Sequence, residues 1–549
     1  MSQPSPLRTL ALAAGLAGAA LLLWLWRGNP IPAAPPLSAA AISAEPNPPL
    51  PEAPTPTTAR TDLSTEARAM LAALARALAA GDAREREAVL AFKDDAALRR
   101  FLARAARSGL TVLGQLDALR SVRVRFDSPG ALQRDLAENI ADYAALGANA
   151  LFGIPRPPAK QDRAAIDQVP FGNDTLAFLG ATGDRSSWGR GTTIAILDTG
   201  VAADATFGSG RVQSLDIGLG FAPGRGSEDG HGTAVAALAA GLLPDAAGVA
   251  PGANLLSIRV TDSGGVSDLF TISQAIVAAV DAGARLVNVS LGGYATGPVL
   301  DAAISYATQR GALIIAAAGN DQAAQLAWPA ADARVVSVGA IDRAEQQVSF
   351  SNSGAQLQLT APGYGVQTAW LDGQRVTVDG TSASAPIVAG AIAAVMSQNP
   401  ALTPRQAADL LARTANDGGA PGPDAAFGHG IVNLATALNR SNPAYIDTAV
   451  SSHHFDATTG EMQFVIQNRS GRTVSGMSLA ITTGTTTTNS SVPSLAAGET
   501  YIAKTSVHDT ALTTAGRLTF TTQLANPPGT VDQVPANNRR SSVLTPAKR

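Results

Sequence analysis

Between about Val169 and Arg440 the chain alternates short, nearly continuous apolar runs with stretches of helical spacing, and this alternation limits the fold more than any other feature. The runs are Thr193–Leu197, Asn254–Val260, Arg285–Val289, Ala312–Ala316 and Val335–Val338. Parallel strands covered by helices on both faces read this way, because neither face meets water. Ser267–Ala282, Pro298–Arg310, Ser384–Gln398 and Pro404–Ala415 carry helical spacing between or after the runs, as the crossovers of a parallel sheet require. The expectation is a doubly wound, mainly parallel α/β domain over residues 165–440. In such a sheet ligands and catalytic groups gather at the ends of the strands.

A chain of 549 residues exceeds one compact core, and its flanks have other textures. Thr61–Ala80 is an amphipathic helix by the spacing of Leu63, Met70, Leu71, Leu74 and Leu78. From Glu87 follow a strand (Ala88–Phe92), a helix capped by Asp94 or Asp95, strands over Thr111–Leu119 and Ser121–Phe126, a helix opened by Pro129, and a closing strand within Tyr143–Phe152. That order is the ferredoxin-like split pattern, and with the leading helix it makes an α+β unit over residues 61–160. After Ser441 the chain turns to Thr, Ser and Asn with period-two stretches at Met462–Gln467, Met477–Thr482, Thr500–Lys504 and Leu518–Gln523. These predict an all-β sandwich over residues 445–549.

Thr9–Trp26 is an uncharged Ala- and Leu-rich run of eighteen residues between Arg8 and Arg27. Its length approaches the ~20 residues of a membrane span, and Trp24 and Trp26 suit an interface. Residues 1–27 read as a signal-anchor, held in the membrane if uncleaved, in preference to a cleaved signal peptide. Residues 28–60, dense in Pro and Ala, read as an extended spacer. A net charge of −3 offers no basic field for nucleic acid, and the lack of cysteine excludes thiolate chemistry and disulfides.

Four segments of the α/β domain carry candidate chemistry. Asp198 closes the first apolar run in Ile196-Leu-Asp-Thr-Gly200. His231, in Asp229-Gly-His-Gly-Thr233, begins a helical run, and its flanking glycines keep bulk away from the imidazole. Of the five histidines, His453, His454 and His508 fall in the β-rich tail as expected surface residues, and His429 lacks a partner motif. A base working near neutral pH is most easily a histidine. Ser382, in Gly380-Thr-Ser-Ala-Ser-Ala-Pro386, lies at the start of a helix, where free N–H groups favour an oxyanion. Pro386 is expected within that helix's first turn. Asn320, after Ala316-Ala-Ala-Gly319, can donate its carboxamide to such an oxyanion. Singly, each has a plainer reading: a capping aspartate, an N-cap serine, a Gly-Asn turn.

Together, in this order, they resemble the signatures of the subtilisin-like serine proteases, the subtilases. Gly248-Val-Ala-Pro-Gly252, Ser290-Leu-Gly-Gly293, Trp328-Pro-Ala330, Ser349-Phe-Ser351 and Ala361-Pro-Gly363 add to the resemblance. It implies a serine endopeptidase with Asp198, His231 and Ser382 as triad and Asn320 in the oxyanion hole, acting on polypeptides without a required cofactor. It implies substrate contacts at Ser290, Leu291, Gly292, Gly293, Ala317, Ala318 and Gly319. With Ala327 at the base of the P1 pocket, the pocket would be uncharged and the preference hydrophobic or broad. The unit at 61–160 resembles the subtilase propeptide, implying an intramolecular inhibitor, a self-processing zymogen cut between Pro155 and Val169, and export. The tail resembles Ig-like or CARDB-like appendages. Ala234 stands where the family often has a second histidine, and Ala383 where it has methionine; neither position performs chemistry. The loop Gly241–Ala247 lacks the Asn-rich sequence of the strong calcium site, so no metal ligand is assigned. The rivals are a catalytically silent binding module, opposed by the intact set, and an esterase-type hydrolase, opposed by the absence of a G-x-S-x-G elbow.

Overall fold

The computed structural model describes residues 63–157, 168–218, 226, 228–507 and 516–545. The expectations for residues 1–27 and 28–60 lie outside the described residues, as does most of the expected cleavage window.

The first part begins with α1 (Thr65–Ala79), started by Ser64, whose hydroxyl accepts from the Ala67 N–H at 3.1 Å. There follow β1 (Ala83–Phe92), α2 (Asp95–Arg104), β2 (Leu110–Leu116), β3 (Ser121–Phe126), α3 (Pro129–Asn139) and β4 (Tyr143–Gly153). The strands form an antiparallel sheet in the order β2-β3-β1-β4. Leu90, Phe92, Phe101, Leu132 and Tyr143 fill the space between sheet and helices.

The α/β domain is built on a seven-stranded sheet. Its strands are β5 (Thr193–Asp198), β6 (Val212–Ser214), β7 (Asn254–Arg259), β9 (Leu286–Val289), β10 (Leu313–Ala317), β11 (Val336–Ile341) and β12 (Leu359–Pro362), with a short β8 (Val266–Asp268) and an antiparallel pair, β13 (Val366–Ala369) and β14 (Arg375–Val378), outside this sheet. The order β12-β11-β10-β9-β5-β7-β6 is parallel throughout. Alternate residues of β5 face opposite cores: Ile194 and Ile196 pack with α4 (His231–Ala240) and α7 (Thr381–Gln398), Ala195 and Leu197 with α5 (Leu269–Asp281) and α6 (Pro298–Gln309). Burial on both sides explains why these strands lack period-two alternation in sequence. The sheet reverses direction of growth at β5, so the carboxyl end of β5 lies at the switch point where sites form.

Two antiparallel sheets make the last part. One has the order β15 (Thr448–Asp456), β16 (Glu461–Asn468), β19 (Thr500–Ser506); the other has β18 (Thr486–Ser491), β17 (Ser478–Thr483), β20 (Leu518–Ala525), β21 (Arg539–Leu544). Phe464, Ile466, Leu479 and Phe520 share one core between them. His453 departs from the expected solvated surface: it is half-buried, with ring nitrogens 2.8 Å from the hydroxyls of Ser542 and Thr522. Burial, with Arg540 adding, pushes its pKa down to about 3.

Candidate active site

Asp198 is the last residue of β5 and fully buried. Its carboxylate accepts from His231 Nδ1 at 2.8 and 3.0 Å, and the Thr199 N–H donates to Oδ1 at 2.8 Å. His231 opens α4 across the switch point. With Nδ1–H given to Asp198, Nε2 is left as the acceptor, the tautomer a general base needs. Burial pushes the imidazole pKa down, but the Asp198 charge and hydrogen bond, helped by Glu228, outweigh it and hold the pKa above the ordinary 6.5. His429, the competitor, is exposed.

The glycines beside His231 serve a different purpose from the one expected. A Cβ on Gly232 would lie 2.3 Å from the Gly200 carbonyl oxygen, and one on Gly230 would lie 2.1 Å from the Trp370 ring. They let α4 close onto the turn after Asp198 and onto Trp370.

Ser382 is the second residue of α7 and 7% exposed. The helix begins three residues earlier than its apolar spacing suggests, at Thr381. Pro386 is therefore the sixth helical residue rather than part of the first turn, a correction with a consequence. The proline has no N–H to bond the carbonyl four residues back, that of Ser382. Ser290 supplies the missing donor: its hydroxyl donates to the Ser382 oxygen at 3.0 Å and accepts from Asn288 Nδ2 at 2.9 Å. Before Ser382, Gly380 has φ +143°, and a Cβ there would stand 2.8 Å from Asn320 Nδ2 and 3.0 Å from Ser382 Oγ. Only glycine leaves the space between the Ser382 hydroxyl and the Asn320 amide open.

Asn320 is fully buried. Its Oδ1 accepts from both the N–H and the hydroxyl of Thr381, each at 2.9 Å, which fixes the amide plane. Its Nδ2 therefore points into the cleft and donates to the Pro155 carbonyl at 2.7 Å. From sequence Thr381 reads as no more than a candidate helix cap; its place beside Ser382 in a shared segment is the one signal of its bond to Asn320, and the cap itself is Gly380.

The carbonyl of Pro155 reaches this point because β4 continues into the α/β domain. It pairs antiparallel with β8, and its last residue, Gly153, also exchanges two backbone bonds of 2.9 Å with Gly292. A Cβ on Gly293 would lie 2.5 Å from the Leu151 oxygen, so glycine is what admits the strand. Beside it a cavity of about 270 Å³ is lined by Gly292, Tyr294, Gly319, Asp321, Ala327 and residues 153–156. Of the expected substrate contacts, Gly292 and Gly319 line this cavity, Gly293 backs the strand and Ser290 supports Ser382. The side chains of Leu291, Ala317 and Ala318 are buried in the cores. Ala327 is present as expected, but the cavity is not free of charge: Asp321 lines it, its carboxylate held by the Tyr294 hydroxyl at 2.5 Å.

Among the described residues no group of three or more His, Asp or Glu converges as metal ligands do. The calcium loop fits poorly at Gly241–Ala247, whose one carboxylate, Asp245, pairs with Arg375 at 3.1 Å.

Known proteins resemble this chain in sequence and in fold. Residues 189–430 match the model of the subtilase family of peptidases. Subtilisin Savinase of Lederbergia lenta is 34% identical over 274 residues, 49% of this chain and 98% of that protein. The thermostable alkaline protease of Halalkalibacterium halodurans is 32% identical over 283 residues, 51% of this chain and 76% of that protein. Fervidolysin of Fervidobacterium pennivorans, a keratinolytic enzyme related to subtilisin, shares the fold with a TM-score of 0.55 at 18% identity, covering 85% of this chain and 76% of its own. The epidermin leader peptide processing serine protease of Staphylococcus aureus aligns with a TM-score of 0.53 at 22% identity, over 65% of this chain and 98% of its own. The class these likenesses define is the serine endopeptidases, hydrolases of peptide bonds. The chain belongs to the subtilase family.

Proposed function

We propose that the chain is an exported zymogen that hydrolyses polypeptides through Asp198, His231 and Ser382. His231 Nε2 takes the proton from Ser382 Oγ as that oxygen attacks the scissile carbonyl, and Asp198 stabilises the imidazolium formed. The resulting oxyanion accepts from Asn320 Nδ2 and the Ser382 N–H at the positive end of α7. His231 passes its proton to the departing amine, and water then hydrolyses the ester on Ser382. Every reacting group belongs to the chain or to its substrate, so the mechanism calls on no cofactor.

The observation that carries this reading is the bond from Asn320 Nδ2 to the Pro155 carbonyl at 2.7 Å. A carbonyl offered by an added strand to a fixed amide, beside a helix-start serine, stands where a substrate carbonyl stands. Since the chain's own residues fill that place, we assign the unit at 61–160 as a prodomain of ferredoxin-like topology and an intramolecular inhibitor. The P1 preference is hydrophobic or broad, because Gly292, Gly319, Ala327 and Tyr294 line the cavity beside a single carboxylate, Asp321, which the Tyr294 hydroxyl holds. Export rests on the apolar run Thr9–Trp26 and on the enzyme class. A fluorophosphonate probe with a casein assay tests the reading. Wild type is labelled, processed and active, and Ser382→Ala stays full length and unlabelled. Absence of label on the wild-type protein would overturn it.

A further inference from the structure

We infer that maturation cuts the chain between Pro155 and Arg156, and that proline at this position makes the prodomain junction a slow substrate for its own active site. The inference rests on the protease reading above and adds the bond and its rate. The register of the docked strand selects the bond. Gly153 pairs with Gly292 through two bonds of 2.9 Å, the Ile154 N–H donates to the Gly265 carbonyl at 3.1 Å, and the next carbonyl, that of Pro155, takes the Asn320 amide at 2.7 Å. On the leaving side Arg156 is tethered, its guanidinium 3.1 Å from the Gly264 carbonyl and 3.0 Å from the Glu228 carboxylate. Phe152 is buried, 2% exposed, on the other side. The segment is held on both sides of a single peptide bond.

The residue placed at that bond is a poor fit to what surrounds it. Proline has no N–H, so it cannot extend the ladder that Gly153 and Ile154 make. Its ring is tied back to its own nitrogen and only lines the wall of the cavity of about 270 Å³ bounded by Gly292, Tyr294, Gly319, Asp321 and Ala327. A leucine or phenylalanine side chain projects freely from Cα and would enter that space. The contacts the cavity could add to the transition state are therefore missing from the junction. Strong docking with weak turnover keeps the prodomain seated after synthesis.

The chemical step is ordinary hydrolysis. Ser382 Oγ bonds to the Pro155 carbonyl carbon and its proton passes to His231. The bond to the Arg156 nitrogen breaks as His231 returns that proton to it. One water then cleaves the ester, leaving a carboxylate on Pro155, an amine on Arg156 and Ser382 restored.

The test follows the full chain and compares it with Pro155→Leu and Pro155→Phe. Intact mass and amino-terminal sequencing at early times identify the first product. The expected result is Arg156 as the new terminus in all three, with processing faster by about tenfold or more in the variants, the scale on which filling an apolar pocket discriminates. Internally quenched peptides with the sequence of residues 151–157, carrying Pro, Ala or Leu at the fifth position, keep the test independent of precursor folding. Mature wild-type enzyme should cleave the Leu peptide faster than the Pro peptide by a similar factor. A first cut at another bond, or Leu turned over no faster than Pro in the peptides, overturns the inference. Fluorophosphonate labelling separates the two failures: a labelled chain cut elsewhere loses only this inference, and an unlabelled, inactive chain loses the protease reading as well.

Discussion

Thr381→Val removes a buried hydroxyl bonded to Asn320 and Gly319, yet it should slow catalysis through Asn320. In the native site the Asn320 oxygen accepts from the Thr381 N–H and hydroxyl, each at 2.9 Å, so the amide cannot turn without losing both. Valine keeps the shape and the N–H bond. The amide then loses one of its two anchors, worth about 0.5–1.5 kcal/mol, and kcat should fall roughly 2- to 13-fold with KM nearly unchanged. The same hydroxyl accepts from the Gly319 N–H at 3.2 Å, and that buried donor is orphaned. Orphaning costs about 1–3 kcal/mol of stability, a fall in Tm of several degrees for a domain of this size. The discriminating assay is a double-mutant cycle on mature enzyme with a peptide substrate. Asn320→Ala alone should lower kcat about 10²- to 10³-fold. Adding Thr381→Val should then cost little more, because the group it orients is gone. A full additive loss in the double mutant, or an effect confined to KM, would refute the positioning role.

Asp198→Asn should lower kcat by about 10⁴-fold, because the amide favours the wrong imidazole tautomer. In the native chain burial lowers the His231 pKa, but Asp198 and Glu228 raise it further, to above 6.5. The stability this pairing contributes is complete below the unfolded pKa and is lost as pH rises through the folded one. Activity runs the other way, since the base must be neutral: kcat/KM should climb with pH to a midpoint above 6.5, and Asp198→Asn should move that midpoint down. A pH–rate profile unmoved by Asp198→Asn would contradict the assignment. Ser290→Ala leaves the Ser382 carbonyl facing Pro386 without its donor, a loss of about 1–3 kcal/mol that thermal unfolding should register as a lower Tm. Pro386→Ala in the same chain restores an N–H to that carbonyl and should recover part of the Tm; no recovery would argue against Ser290 as a substitute for the helix bond.

Much of the frame was legible because its physics is local. Strands buried on both faces must be apolar throughout, so β5, β7, β9, β10 and β11 stood out as runs. The edge strands β6 and β12 did not: β6 is three residues long and partly exposed, and β12 is Leu359–Pro362. The start of α7 is hidden in the sequence because Thr381, Ser382 and Ser384 are fully or almost fully buried polar residues that break the apolar pattern. The hydroxyls of Thr381 and Ser384 are bonded in place, Thr381 to the Asn320 oxygen and Ser384 to the carbonyls of Ala361 and Pro362. His453 is hidden for the converse reason: two hydroxyls from other strands satisfy it in a half-buried position that its own neighbours in sequence do not announce.

The sequence by itself determined the residue types and their order: a carboxylate, an imidazole, an amide and a hydroxyl, each at or just past the end of an element that hydrophobic periodicity already outlines. Periodicity reads burial within one segment, and that suffices for elements and for what lies at their tips. Only the tertiary structure decided who partners whom across long separations. It brought Ser290 to the carbonyl that Pro386 abandons, Thr381 to the oxygen of Asn320, Tyr294 to Asp321, and Pro155 to the amide of Asn320. Hydrogen bonds depend on distance and angle in space, and no spacing along the chain encodes them. What the fold settled about this protein is thus less which groups are present than how each is held, and which carbonyl lies before them.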